Sequence, residues 1–512
     1  MKKDKTAVGS AILVMIVVLG SKFLGFLRQI VIASTYGSDI NTDIYFMSSD
    51  FMIGLSGALL ASLTTALVTI YIDIFVKKDR ESANSVASKM LTLFLTASVV
   101  FIAVINIFAP FIARILAPTY NTSDHALLVK YLRIFSVTFI FTAFQSIYAA
   151  VLNANNSFVP GKLYGIVYNP IAIVCVLAFA GKYGIKALVF AYFVGNILQT
   201  ILLRQLCKNT FSFHPSLKFR DENIRHLILL SVPLLLSNVF IQLNGIVDKS
   251  ISSYLGEGYA SNYSYAYTLE QFITATITAT VSLILLSKYA SYVAKGDTDM
   301  VVLTFRKSLS GLIILLAPIT IVTCALAYRI VAIVYMRGEF DSVSALHTSR
   351  ALIGFGVGFT LIAIRELYIR LHFSYQDTKM PMIANISAVV LNAVLSIILA
   401  KFVGILGVSL ATSLSVILTI SILNRSVKRY IPDFRFASIL PLITKAVIAC
   451  AASLLCAVSA NNLINAGNLL NFLISAALSL AMYVAILALL RCGEFFELAK
   501  DIARQLMYKL GR

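Results

Sequence analysis

Lys22 and Arg28 interrupt an otherwise apolar run from Ala11 to Ser34. A cation at bilayer depth costs roughly 2.5 to 3.5 kcal/mol on insertion scales, so two in one spanning helix must face a polar cavity or a counter-charge rather than lipid. They stand six positions apart, and at about 100° per residue they lie on broadly related faces of a helix. Arg offers a planar fork to phosphate oxygens and Lys a compact charge, so the pair suits an anionic passenger such as a diphosphate. Further charges fall in apolar stretches: Asp43, Asp50, Asp248, Lys249, Glu270, Arg365 and Glu366. Asp248–Lys249 and Arg365–Glu366 are adjacent opposite charges, as open to mutual compensation or an interfacial role as to contact with a passenger. The candidate substrate-binding residues are therefore Lys22, Arg28, Asp43, Asp248, Lys249, Glu270 and Arg365.

The elements that must position them are membrane helices. Of the 512 residues, 59% are hydrophobic and 13% charged, and the mean hydropathy is +0.88, whereas soluble domains carry about a quarter charged residues. Apolar stretches of about 18 residues or more recur from end to end, about fourteen in all, which predicts an all-α polytopic membrane protein and excludes a β-barrel. The first stretch follows Lys2, Lys3 and Lys5 as a signal peptide would, but it is too long and ends on no small-residue cleavage site. It is read as the first membrane helix.

The net charge of +19 is a topology signal rather than a nucleic-acid patch. With an even number of spans, Lys2, Lys3, Lys5, Lys77, Lys78, Arg80, Arg425, Lys428 and Arg429 share one side with thirteen further basic residues, among them Lys208, Arg225, Lys295 and Lys500, while Lys182, Lys186, Arg337 and Lys401 lie opposite. The positive-inside rule then places both termini in the cytoplasm. The six cysteines show no CxxC spacing, the five histidines form no paired ligand pattern, and no Gly-rich phosphate loop occurs. Neither a catalytic activity nor a metal or cofactor is expected.

The chain also resembles itself. Ser34-Thr-Tyr36 with Tyr45 aligns with Ser252-Ser-Tyr254 with Tyr263, a displacement of 254 minus 36, or 218. Gly184 to Ala191 aligns with Gly404 to Ala411, a displacement of 404 minus 184, or 220, and Pro160 and Pro381 follow at nearly the same offset. Such duplication places a transporter's site between its halves. The expected organisation is an N-lobe of six helices over residues 1–207, a linker at 208–225, a C-lobe of six at 226–430, two further helices over 431–493 and an amphipathic tail at 494–512. The lobes are expected to be related by a pseudo-twofold.

Ser21-Lys-Phe-Leu-Gly-Phe-Leu-Arg28, Tyr36-Gly37 and Thr42-Asp43 resemble the opening motif of the MurJ family of lipid II flippases, in the multidrug and polysaccharide exporter superfamily. Ile246 to Leu255, Arg337-Gly-Glu-Phe340 and the turn Gln376-Asp-Thr-Lys-Met-Pro381 are similar to later parts of the same family. The resemblance implies a bacterial inner-membrane protein with a central cationic cavity, moving an undecaprenyl-diphosphate-linked peptidoglycan precursor to the outer leaflet by alternating access. Its partners would be that lipid-linked glycan, membrane lipids and a coupling ion or the membrane potential, and it would act as a monomer. Arg28 matches a cavity arginine of the family, Lys22 replaces another, and Asp43 matches a polar position at the mouth of the cleft. The family's other two arginines fall at Ser56 and Thr268. Those losses keep a flippase for another lipid-linked oligosaccharide open, and a cation-coupled drug exporter of the superfamily is the third reading.

Overall fold

The computed structural model describes residues 2–216, 222–464 and 467–509. Residues 217–221 of the expected linker and 510–512 of the expected tail lie outside them. Among the described residues there are eighteen α-helices, two short 3-10 turns and no strand. A chain in hydrocarbon must satisfy its backbone polar groups within each segment, and the helix does so.

One compact unit runs as far as Ser264 and takes in Arg337–Phe340. It holds α1 (Lys2–Tyr36), α2 (Ile40–Lys77), α3 (Arg80–Leu116), α4 (Thr122–Ser136), α5 (Phe139–Ala154), α6 (Tyr164–Tyr183), α7 (Lys186–Cys207), α8 (Glu222–Ser253) and the first turns of α9 (Tyr259–Ala294). The second unit comprises Tyr265–Met336 and the chain from Asp341 onward. It holds the rest of α9, then α10 (Thr298–Ala325), α11 (Ala327–Tyr335), α12 (Ser342–Gly356), α13 (Phe359–Ser374), α14 (Lys379–Val403), α15 (Ile405–Val427), α16 (Leu440–Leu463), α17 (Asn468–Leu489) and α18 (Gly493–Lys509). Among the described residues twelve helical spans are long and apolar enough to cross a bilayer, α4–α5 and α12–α13 each counting as one. The expected fourteen would add α8 and α9, which are 32 and 36 residues long.

The repeat is visible in backbone detail. α4 and α12 begin at Thr122 and Ser342, and α5 and α13 at Phe139 and Phe359; both offsets are 220, from 342 minus 122 and 359 minus 139. The fourth span of each set thus breaks at the same place. Just past these spans Asn156 and Gln376 take positive φ, 61° and 59°, the left-handed turn that ends a helix. Gly184 and Gly404, at φ 56° and 63°, repeat the pattern after α6 and α14, where only glycine adopts the conformation without cost.

Each unit has its own core. In the first, Leu67 and Tyr71 of α2 cluster with Met90 and Leu91 of α3 and Ile147 and Val151 of α5. Residues 210–216 are held along α3 by polar groups four residues apart: Asn84 Nδ2 donates to Thr210 O (2.9 Å), His214 N to Ser88 Oγ (3.3 Å) and Ser216 N to Thr92 Oγ1 (3.2 Å). In the second, Phe305 packs edge-on against Tyr368 and Phe434. Phe495 and Leu498 of α18 pack against the same cluster. Ser453 and Ser479 join α16 to α17 through their hydroxyls at 2.7 Å. Arg329 of α11 donates to Asn461 and to Asn468 at their far ends.

Helices in lipid gain little from apolar contact alone, so small residues and interhelical hydrogen bonds set their fit. The α12–α15 contact follows that rule. Ser413 Oγ donates to Gly354 O at 2.7 Å, and a Cβ on Gly354 would lie 2.7 Å from Leu410 N and 2.8 Å from Leu406 O. Backbone cannot swing aside as a side-chain tip can. Gly354→Ala is expected to destabilise the second unit by about 1–3 kcal/mol, read as a lower melting temperature in detergent, while Gly181→Ala, with nothing within 4 Å, leaves it unchanged.

Candidate functional site

α1 lies close on α6 because small groups line the contact. A Cβ on Gly165 would strike the Ser21 side chain, and Asn169 Nδ2 donates to Ser21 O at 3.0 Å. This docking sets Arg28 above the ring of Tyr168, with the guanidinium carbon 5.0 Å from the ring centroid. Arg28 is half-buried, and its Nε is buried without a hydrogen-bond partner. Lys22 is half-buried on the same helix.

Tyr168 stands in a cluster of tyrosines. Its hydroxyl is 3.3 Å from that of Tyr45, its ring stacks on Tyr164 at 5.6 Å, and Tyr192 meets it edge-on, also at 5.6 Å. Asn196 Nδ2 donates to the Tyr164 hydroxyl (3.3 Å), and Gln145 Nε2 donates to Asn196 O and Thr200 Oγ1 (both 3.2 Å). Sequence reasoning passed over these tyrosines. Tyr164 and Tyr168, one turn apart in α6, were the available signal, but that spacing is shared by ordinary core packing.

Asp43 does not face open space. It is fully buried and accepts from Gly258 N (2.7 Å), Ser261 N (2.6 Å) and the Tyr120 hydroxyl (3.2 Å). These two N–H groups open α9 and have no partner within that helix. In return Glu257 Oε1 accepts from Ile40 N, the first residue of α2, at 3.1 Å. Two repeat-related helices thus cap each other. Tyr120, in the turn before α4, has its phenol pushed well above the usual range by burial and by the nearby Asp43 charge.

Asp248 and Lys249 do not compensate each other. Asp248 accepts from the Tyr263 hydroxyl at 3.0 Å, whereas Lys249 forms an ion pair with Asp50 of α2. In the second unit the other adjacent pair does compensate: Glu366 bridges Arg365 (3.2 Å) and Arg370 (3.3 Å). Glu270 is buried and accepts from Gln271 Nε2 at 2.8 Å. The structure therefore gathers Lys22, Arg28, Asp43, Asp248 and Lys249 in one unit, and Glu270 and Arg365 in the other.

Residues 32–479 match the family described as "Lipid II flippase MurJ". The chain belongs to that family. It is 24% identical to a probable lipid II flippase MurJ of Rickettsia prowazekii over 409 residues, 77% of this chain and 78% of the relative. With the lipid II flippase MurJ of Burkholderia cenocepacia it shares 22% identity over 404 residues, 76% and 78% of the two chains. Its fold is that of a lipid II flippase MurJ solved in an inward closed conformation (TM-score 0.80, 22% identity, 93% of this chain and 98% of that one). An inward-facing multidrug transporter of the MATE family also shares it (TM-score 0.68, 12% identity, 83% and 98%).

Where the resemblance places family arginines, this MurJ-family chain has Ser56, buried with an unpartnered hydroxyl, and Thr268, half-buried in α9. The nearby charge on the α2–α8 contact is instead the Lys249–Asp50 pair. Lys249→Met is expected to destabilise the first unit by about 1–3 kcal/mol, less than the 3–5 of a fully buried pair because Asp50 is 34% exposed. Adding Asp50→Asn is expected to recover part of that loss; thermal unfolding of the two single variants and the double variant measures the coupling.

Proposed function

We propose that this chain carries lipid II from the inner to the outer leaflet of a bacterial cell membrane by alternating access. Arg28 contacts the diphosphate in this reading and Lys22 adds to the local positive potential. The observation that carries it is the state of Arg28. Lys249 is paired with Asp50, and Arg365 and Arg370 share Glu366, whereas Arg28 lies over an aromatic ring with no carboxylate paired to it among the described residues. Such a cation in a membrane-spanning helix keeps its full pull on a phosphate, and desolvation strengthens that pull.

The other candidates take different parts. Asp43 and Asp248 hold helices through hydrogen bonds, and Arg365 with Arg370 forms a second basic element whose net charge is reduced by Glu366. Family membership supports transport without a chemical step. Movement would draw on an ion gradient or on the membrane potential, which is worth about 2.3 kcal/mol per charge per 100 mV. We place both termini in the cytoplasm, read residues 1–207 and 226–430 as the six-helix lobes, and read the protein as a monomer. The matching relatives are described as lipid II flippases, which favours lipid II over another lipid-linked glycan, and a cationic first helix disfavours an exporter of organic cations.

Expression in cells depleted of their own lipid II flippase is expected to restore growth, and Arg28→Ala is expected to abolish rescue and lipid II translocation while membrane levels stay normal. Failure of the well-expressed wild type to rescue would move the assignment to another glycan, and full rescue by Arg28→Ala would remove Arg28 from the site.

A further inference from the structure

Arg28 lies over a ring with no carboxylate paired to it among the described residues, whereas Arg370, which also lies over a ring, that of Phe373 at 5.8 Å, shares Glu366; the difference bears on how Arg28 meets a ligand. An ion pair occupies the donor edge of a guanidinium, so an arriving phosphate has to displace a carboxylate and leave that carboxylate buried and unpaired. An aromatic ring occupies the face instead. Tyr168 lies at Arg28's guanidinium at 5.0 Å, and among the described residues no carboxylate pairs with that guanidinium, in contrast to Arg365 and Arg370.

The ring is itself held firmly. Tyr168 is 2% exposed, and its neighbours are the Tyr164 stack, the Tyr192 edge and the Tyr45 hydroxyl. Gly195 of α7 makes room for it, since a Cβ there would lie 2.8 Å from Tyr168 Cδ2. Asn169, the next residue, fixes α6 to α1 through Ser21 O. Ring and cation are therefore placed by the same helix contact.

From this we infer that Tyr168 is a positioning residue for Arg28: its ring keeps the guanidinium at the site with the donor edge free for a lipid-linked diphosphate. The inference rests on the proposed flippase reading. Without the ring a long arginine side chain turns toward the membrane interface, and the population competent to bind falls by the fraction that has turned. The cation lies over the ring, while the Tyr168 hydroxyl meets Tyr45, so the ring is the part that must hold the guanidinium.

A size-conserving series tests the point on the full chain. Tyr168 is replaced by phenylalanine and by phenylalanines with one, two and three ring fluorines, which weaken the ring's negative face stepwise while keeping its shape. Binding of undecaprenyl diphosphate and of lipid II is then read by native mass spectrometry in nanodiscs, with thermal unfolding as a check on the fold. Tyr168→Phe is expected to bind both within about threefold of wild type, and affinity is expected to fall with each fluorine, to about tenfold for the trifluoro ring. Arg28→Ala should remove the slope.

A flat series, a series that tightens with fluorine, or a Tyr168→Phe variant as weak as the trifluoro form overturns the positioning role while leaving the substrate reading in place. Wild-type binding of undecaprenyl diphosphate but not lipid II overturns the substrate reading, and the slope with the diphosphate still decides the role of Tyr168. Binding of neither ligand overturns both.

Discussion

A charge inside a spanning helix has to be answered by something, because the hydrocarbon around it offers nothing. Among the described residues Lys249, the Arg365–Arg370 pair and Arg28 meet this constraint in three different ways. Lys249 is matched by a single carboxylate on a neighbouring helix, Asp50 of α2. Arg365 and Arg370 divide one carboxylate, Glu366, between them on the same helix, leaving a net positive charge. Arg28 is met by the face of Tyr168. A carboxylate neutralises, a divided carboxylate partly neutralises, and a ring stabilises without cancelling. The third answer suits a cation whose partner is to arrive from outside the chain.

The duplication of the backbone did not carry this chemistry with it. Helix starts, the break in the fourth span and the left-handed turns recur 220 residues apart, which shows that these features belong to the shape of the unit. At that offset, however, Arg365 corresponds to Gln145, an amide engaged by Asn196 and Thr200, and at the displacement of 218 that aligns the first helices Arg28 corresponds to the apolar Ile246. The cationic element lies on the first helix of one set and on the broken span of the other. Helix packing tolerates such exchange because small residues and hydroxyls set the fit, whereas each charge needs its own local solution.

Much of this was legible in the sequence, and what was not shares one physical cause. Run length and hydropathy are properties of a segment, so the all-helical class, twelve of the expected fourteen spans and the repeat offset could be read directly; the break at Val137 could not, since the flanking residues Ser136 and Thr138 differ little from those of an unbroken helix. The list of buried charges was also legible, because insertion cost depends on the residue alone. Their partners were not. Adjacency left open whether Asp248 answers Lys249, but successive residues on a helix point about 100° apart, and each has a partner elsewhere: Tyr263 for one, Asp50 for the other. Arg365 and Glu366 are adjacent too, and there the long guanidinium arm closes the gap. Tyr168 was invisible for a related reason, since an aromatic residue in an apolar helix carries no mark of which cation lies against it.

Asp43 shows why a buried carboxylate need not be a ligand site. Ser, Thr, Asp and Asn cap a helix from its own sequence, and Asp39 does so for α2 by accepting from Thr42 N at 2.8 Å. α9 instead begins at Tyr259 after a glycine, Gly258 at φ 82°, and brings no such side chain to its first amides. Asp43 supplies it from α2, and its negative charge meets the positive end of the α9 dipole, so both oxygens are engaged by groups that would otherwise be orphaned. Glu257 returns the contact at Ile40 N. Neither helix start can shift along its axis without uncapping the other, and the first turns of α9 accordingly belong to the same compact unit as α2. An acid at this position is fixed by the architecture of two helix ends before any passenger is considered.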